Sequence, residues 1–124
     1  AVGLSGGGTR VTTISEGMNG IMLGGSFTNT LTRMEAPSVG ATREEELLSS
    51  SGLREEGESE GFLLRVTSDG SMDFSVCLSG VSRCTSIVSD GEDGIYAGGN
   101  FERTAVLGVF ALQSEGEGDT VIMR

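Results

Sequence analysis

Two stretches of this 124-residue chain are one segment written twice, and that repetition limits the fold more than any other feature. Residues 4–30 read LSGGGTRVTTISEGMNGIMLGGSFTNT and residues 78–104 read LSGVSRCTSIVSDGEDGIYAGGNFERT. The shared positions are Leu4/Leu78, Ser5/Ser79, Gly6/Gly80, Arg10/Arg83, Thr12/Thr85, Ile14/Ile87, Gly20/Gly94, Ile21/Ile95, Gly24/Gly98, Gly25/Gly99, Phe27/Phe101 and Thr30/Thr104, with one compensated insertion and deletion. A second self-match, at an offset of 48, sets Gly61-Phe62-Leu63-Leu64-Arg65 on Val109-Phe110-Ala111-Leu112-Gln113. The unit is then about 48 residues long, and the first copy carries about 26 extra residues between Thr30 and Gly61. A repeat of this size buries its apolar face only by stacking on a neighbour.

The period inside each unit is that of strands. Thr12 and Ile14 alternate with other side chains, as do Thr85 and Ile87, and Phe62, Leu64 and Val66 recur at every second position. Met18-Asn19-Gly20, Ser68-Asp69-Gly70 and Glu92-Asp93-Gly94 are hairpin corners, with Gly where the chain needs positive φ. Each unit reads as four short antiparallel strands. The pairs Gly24-Gly25 and Gly98-Gly99 lie within strand pattern, where Gly marks a bulge, a bend or a close approach by another backbone. A phosphate cradle would need a following helix, and no helical period follows either pair.

Residues 35–60 hold Glu35, Glu44, Glu45, Glu46, Glu55, Glu56, Glu58 and Glu60 against Arg43 and Arg54, so much of the formal charge of -10 sits in one insertion. Residues 41–48 suit one or two helical turns, stopped by Ser49-Ser50-Ser51-Gly52. The insertion reads as a solvated loop; as a functional element, Glu44, Glu45, Glu46, Glu55, Glu56 and Glu58 would form an arm for a basic partner. Asp90, Glu92 and Asp93 offer oxygens to calcium, although they also serve as plain turn formers, and no other cofactor is expected.

The chain has no His, and all its basic residues are Arg, which excludes His-dependent triads, His-ligated zinc and lysine chemistry within the chain. A pI near 4.3 speaks against a phosphate backbone as partner. No apolar run reaches the roughly 20 residues of a membrane-spanning helix. Cys77 and Cys84 lie seven apart, a spacing that allows either a small disulfide loop or two small buried hydrophobes. Arg10 and Arg83 each open an inner-type strand and read as structural residues bonding a neighbouring unit.

The strings Gly20-Ile21-Met22-Leu23-Gly24-Gly25-Ser26-Phe27 and Gly94-Ile95-Tyr96-Ala97-Gly98-Gly99-Asn100-Phe101, with residues 62–73 between them, resemble the delta-60 repeat and the related seven-bladed β-propeller repeat families. The resemblance covers nearly the whole chain except the insertion, and its motifs are short and Gly-led. It implies an all-β fold of two four-stranded antiparallel propeller-type blades carrying one acidic loop, part of a larger propeller or completed by other chains. The units are then residues 1–30 with 61–76, interrupted by the insertion at 31–60, and residues 77–124. Both ends fall at one phase of the repeat, opposite Val76, so an excerpt of a longer array or a chain completed by partners is expected.

What the copies share is packing and turn chemistry, with no repeated reactive residue. The expected function is non-catalytic: a structural or protein-interaction module, an accessory part of a larger assembly, whose partners are other proteins or further blades. A glycan-binding or glycan-cleaving propeller is the alternative, with Asp69 and either Asp90 or Asp93 as its carboxylates. Edge pairing through residues 120–124 is a third route to association. The resemblance points to a secreted, cell-surface or lumenal setting, although the chain has no N-x-S/T sequon.

Overall fold

The structure, a computed structural model, describes residues 2–17, 19–35, 43–53, 55, 57–92, 94–116 and 118–123. Eight strands follow in order: β1 (Val2–Gly17), β2 (Gly20–Glu35), β3 (Arg43–Ser49), β4 (Glu60–Thr67), β5 (Met72–Ser89), β6 (Ile95–Leu107), β7 (Phe110–Gln113) and β8 (Asp119–Met123). They form one antiparallel sheet in the order β1-β2-β4-β5-β6-β7, with β3 also on β2 and β8 also on β6, and the sheet does not close. The all-β expectation holds. Four strands are long rather than short, and β5 runs from the first unit into the second without a break.

Length is reconciled with compactness by one bend per unit. β2 pairs with β4 through Phe27 and with β3 from Thr30 onward, while β6 pairs with β8 through Phe101 and with β7 from Thr104 onward. Between the two stretches lie Asn29 (φ 64) and Arg103 (φ 67), non-glycine residues in the left-handed region at the same phase of the repeat. Each kinked carbonyl accepts a backbone bond of 2.7 Å, Asn29 from Ser50 and Arg103 from Ser114. Across from the kinks, a Cβ on Gly6 or Gly80 would stand 2.1 Å from the carbonyl oxygen of Thr30 or Thr104. Gly80 also has φ 83, so Gly80→Ala is expected to cost at least about 2 kcal/mol in urea unfolding with an unchanged m-value.

The bend folds each unit over its own apolar residues. Phe27, Leu31, Phe62 and Leu64 form the first core, with Leu4, Leu23 and Leu48 against it. The second holds Phe101, Ala105, Val121, Val81, Leu78, Cys84 and Ala97, with Leu112 and Met123 alongside, and also takes in Leu63 of the first unit.

Pairing corrects the second self-match. Gly25 faces Phe62 on β4 and Gly99 faces Val121 on β8, so β4 is the counterpart of β8, not of residues 109–113. The counterpart of β7 is β3: Leu31 faces Leu48 and Ala105 faces Leu112. Leu31 and Leu48 are 17 apart and Ala105 and Leu112 are 7 apart, so the first unit gains ten residues before β3. From Leu48 to Phe62 is 14 and from Leu112 to Val121 is 9, which adds five after it, and the insertion totals 15 rather than 26. It is not simply a loop, because residues 43–49 form β3 on the edge of β2 instead of the expected helical turns. Strand pairing that places Leu48 beside Leu31 outweighs a local helical preference.

Candidate functional site

The surface with the most specific construction is the junction between the two units. Met22, Gly24, Leu63 and Gly61 lie on the face of β2 and β4 opposite the first core, and this face rests on β5 of the second unit. A Cβ on Gly24 would stand 2.7 Å from Cys84 Sγ, and one on Gly61 3.1 Å from the Cys84 nitrogen. Thr12 donates its hydroxyl to the carbonyls of Gly24 and of Cys84, and Ser59 donates to the Ser82 carbonyl at 3.1 Å. The second glycine of each pair has an intra-unit reason: a Cβ on Gly25 would meet the Arg10 carbonyl oxygen at 1.9 Å, and one on Gly99 the Arg83 oxygen at 2.7 Å. Arg10 and Arg83 themselves are exposed, whereas Phe27 and Phe101 are buried in their cores.

Glu60 is the one buried carboxylate among the described residues, and sequence reasoning counted it only as part of the acidic insertion. It accepts bonds from the Ser51 amide (2.8 Å) and hydroxyl, the Gly80 amide (3.1 Å) and the Cys77 thiol (3.4 Å). Burial pushes its pKa up, but the bonds from Ser51, Gly80 and Cys77 outweigh it and hold the group below its ordinary value. Its counterpart is Asp119, which faces Phe101 as Glu60 faces Phe27 and accepts the Glu115 amide at 3.2 Å. The signal was present as an acid heading an apolar run in both Glu60-Gly61-Phe62-Leu63-Leu64 and Asp119-Thr120-Val121-Ile122-Met123. The offset of 48 hid it.

Cys77 and Cys84 are free thiols, which corrects the disulfide option. β5 turns at Gly80 and carries them apart, Cys77 to the first core and Cys84 into the second. Burial, followed by the charge of Glu60, pushes the Cys77 thiol up to about 12, and burial also raises Cys84. Alkylation at pH 8 is therefore expected to be slow in the folded protein and to label both thiols once the unreduced chain is denatured; recovery of unlabelled denatured chain would contradict this.

The proposed acidic arm is distributed over several contacts. Glu44, Glu45 and Glu46 lie on β3 opposite Met34, Arg33 and Thr32, and Glu45 stands 3.9 Å from Arg33. Glu55 and Glu58 reach across to Arg103 of the second unit at 3.3 and 2.7 Å. Glu56 lies outside the described residues. The two Arg103 pairs are solvent-exposed and contribute little each, yet they link the insertion to the second unit.

Asp69, Asp73 and Asp90 are engaged within their own hairpins. Asp90 accepts the amides of Glu92 (2.9 Å) and Gly94 (3.2 Å), and Gly91, not Gly94, carries the positive φ of that turn. Asp93 lies outside the described residues, and no group of three metal-ligating side chains occurs among those described. The hydroxyls of Ser71 and Thr67 and the Ser71 amide hold Asp69 well below the usual carboxylate range. Arg65 makes two bonds of 2.8 Å to Asp73 and lowers that group too.

No protein-family model, curated protein or solved structure matches the chain. Among the described residues no helix is long and apolar enough to cross a membrane.

Proposed function

We propose that the chain is a non-catalytic segment of a β-propeller-type repeat array that works as a structural and protein-interaction module in a larger assembly. One comparison carries this reading. The first unit buries its outer face against the second, and the equivalent apolar positions of the second unit are exposed. Leu63 is 4% exposed and its counterpart Ile122 77%, while Met22 is 5% exposed and its counterpart Tyr96 41%. An apolar face of this kind, built to the same plan as one that is already buried, is a place for another unit. Carboxylates that serve as turn acceptors at Asp69 and Asp90 support a non-catalytic role better than a glycan-cleaving one.

In a stacked array each added unit contributes its own stability and a new interface. Appending a third unit, a copy of residues 78–123 joined in the frame that links Arg65 to Leu78, is therefore expected to raise the urea midpoint and to protect Ile122 from solvent. An unchanged midpoint with an independently unfolding third unit would overturn the reading.

A further inference from the structure

The internal junction has two halves, and the chain carries an unused counterpart of each. On the second unit that counterpart is the exposed side of β6 and β8, with Ile122 77% and Tyr96 41% exposed on either side of the buried Gly98. On the first it is the surface of β1 that carries Val11 and Ile14. Val11 and Cys84 occupy the same register, facing Gly25 and Gly99, yet Cys84 is fully buried beneath Gly24 and Gly61 while Val11 is 46% exposed. Ile14 is 65% exposed, whereas its counterpart Ile87 packs on the second core. The hydrogen bonding repeats this asymmetry. Thr12 donates both to its own unit at Gly24 and across the junction to Cys84, and Thr85 donates to Gly98 in its own unit at 3.2 Å. Strand edges agree as well: among the described residues β1 pairs only with β2 and β8 only with β6, whereas β4 has β5 along its second edge. Beside β8 lies an open apolar cleft whose lining includes Val76, Leu107, Leu112 and Met123.

We propose that a second copy of this chain docks head to tail, its Val11 and Ile14 surface seated beneath the Tyr96, Gly98 and Ile122 face of the first, reproducing between molecules the junction already made within one. This rests on the repeat reading above. The template specifies the contacts. Gly98 receives Val11 as Gly24 receives Cys84, Thr85 donates to the Val11 carbonyl, and Val2 to Leu4 of the incoming β1 pair along β8 as Val76 to Leu78 pair along β4. Such an interface is heterologous, so it leaves one free face on each end of the pair and continues into a ring or a filament. Each copy carries a charge of -10, and screening of that repulsion makes association stronger at higher salt.

The test uses two single variants at exposed positions, Ile122→Glu and Val11→Glu, in light scattering coupled to size-exclusion chromatography. The parent chain is expected to give masses at multiples of 12.8 kDa that rise with protein concentration and with salt. Each variant alone is expected to associate at least about tenfold more weakly, because every copy then lacks the same half of the junction. Mixed, the two variants restore a single junction and give a dimer that grows no further. A parent chain that stays monomeric up to about 1 mM, or a mixture with no dimer, would overturn the proposal. If the three-unit chain is stabilised while the parent remains monomeric, the repeat reading stands and the second copy is not its partner; if neither occurs, both fail. Far-ultraviolet circular dichroism of each variant, matching the parent, separates loss of docking from loss of fold.

Discussion

Phe27→Ala is expected to remove about 3–5 kcal/mol of unfolding free energy. Phe27 is fully buried and meets Phe62 edge to face, with ring centroids 6.3 Å apart and planes at 60°. It sits just ahead of the Asn29 kink, where both arms of the bent first unit converge, so neighbouring strands have little freedom to close the cavity. Phe101→Ala removes the equivalent residue from a core where Val121 stands in place of Phe62, and its cost is expected at the lower end of the same range. Urea unfolding of the two variants beside the parent checks both values. A loss under about 1 kcal/mol for Phe27→Ala would mean that the first core is not packed as described.

Glu60→Ala is the second large effect, expected at about 2–4 kcal/mol, because it leaves the buried amide of Gly80 and the Ser51 amide without their acceptor. The loss acts on the junction as well as on the first unit. Ser51 belongs to the connection after β3, and Gly80 is the corner where β5 passes into the second unit. Glu60→Gln keeps the shape and one acceptor and is expected to lose less. The sign of the pH dependence follows from the lowered pKa. The folded group ionises at lower pH than the unfolded one, so its stabilisation is complete above the ordinary glutamate pKa near 4.5 and is lost as pH falls through the folded value. Asp69 and Asp73 are lowered as well and add acid sensitivity of the same sign. The contribution of Glu60 is thus the part of the acid loss that disappears in Glu60→Gln. Identical acid profiles for parent and variant would contradict this assignment.

The strand class and the special position of the glycine pairs were legible because they are local signals: alternation at period two, and Gly within a strand. Pairing was less legible. Gly61-Phe62-Leu63-Leu64 resembles Val109-Phe110-Ala111-Leu112 as a string, but the partner of each strand is decided by which stretch of β2 or β6 lies beyond the kink, and no local pattern announces a left-handed Asn29 or Arg103. Residues 41–48 suited one or two helical turns by local composition, whereas residues 43–49 form β3 because the far half of β2 offered an unpaired edge. Glu60 was hidden for a related reason. Its charge looked like its neighbours' charge, and only the pairing that sets it opposite Phe27, at the position of Asp119, distinguishes it. The cysteines were read by spacing, whereas the bend of β5 at Gly80 decides their separation.

The equivalence of β4 and β8 is the claim on which the comparison of the two faces, the repeat array and the docked second copy all depend. Its most direct test is a cross-strand disulfide between Asn100→Cys and Thr120→Cys, exposed positions that face each other where β6 pairs with β8. Mild oxidation followed by peptide mapping is predicted to give a bond between positions 100 and 120 within one chain. Free thiols at both positions after oxidation, with the rest of the protein folded, would contradict it and return β8 to an unassigned place on the sheet.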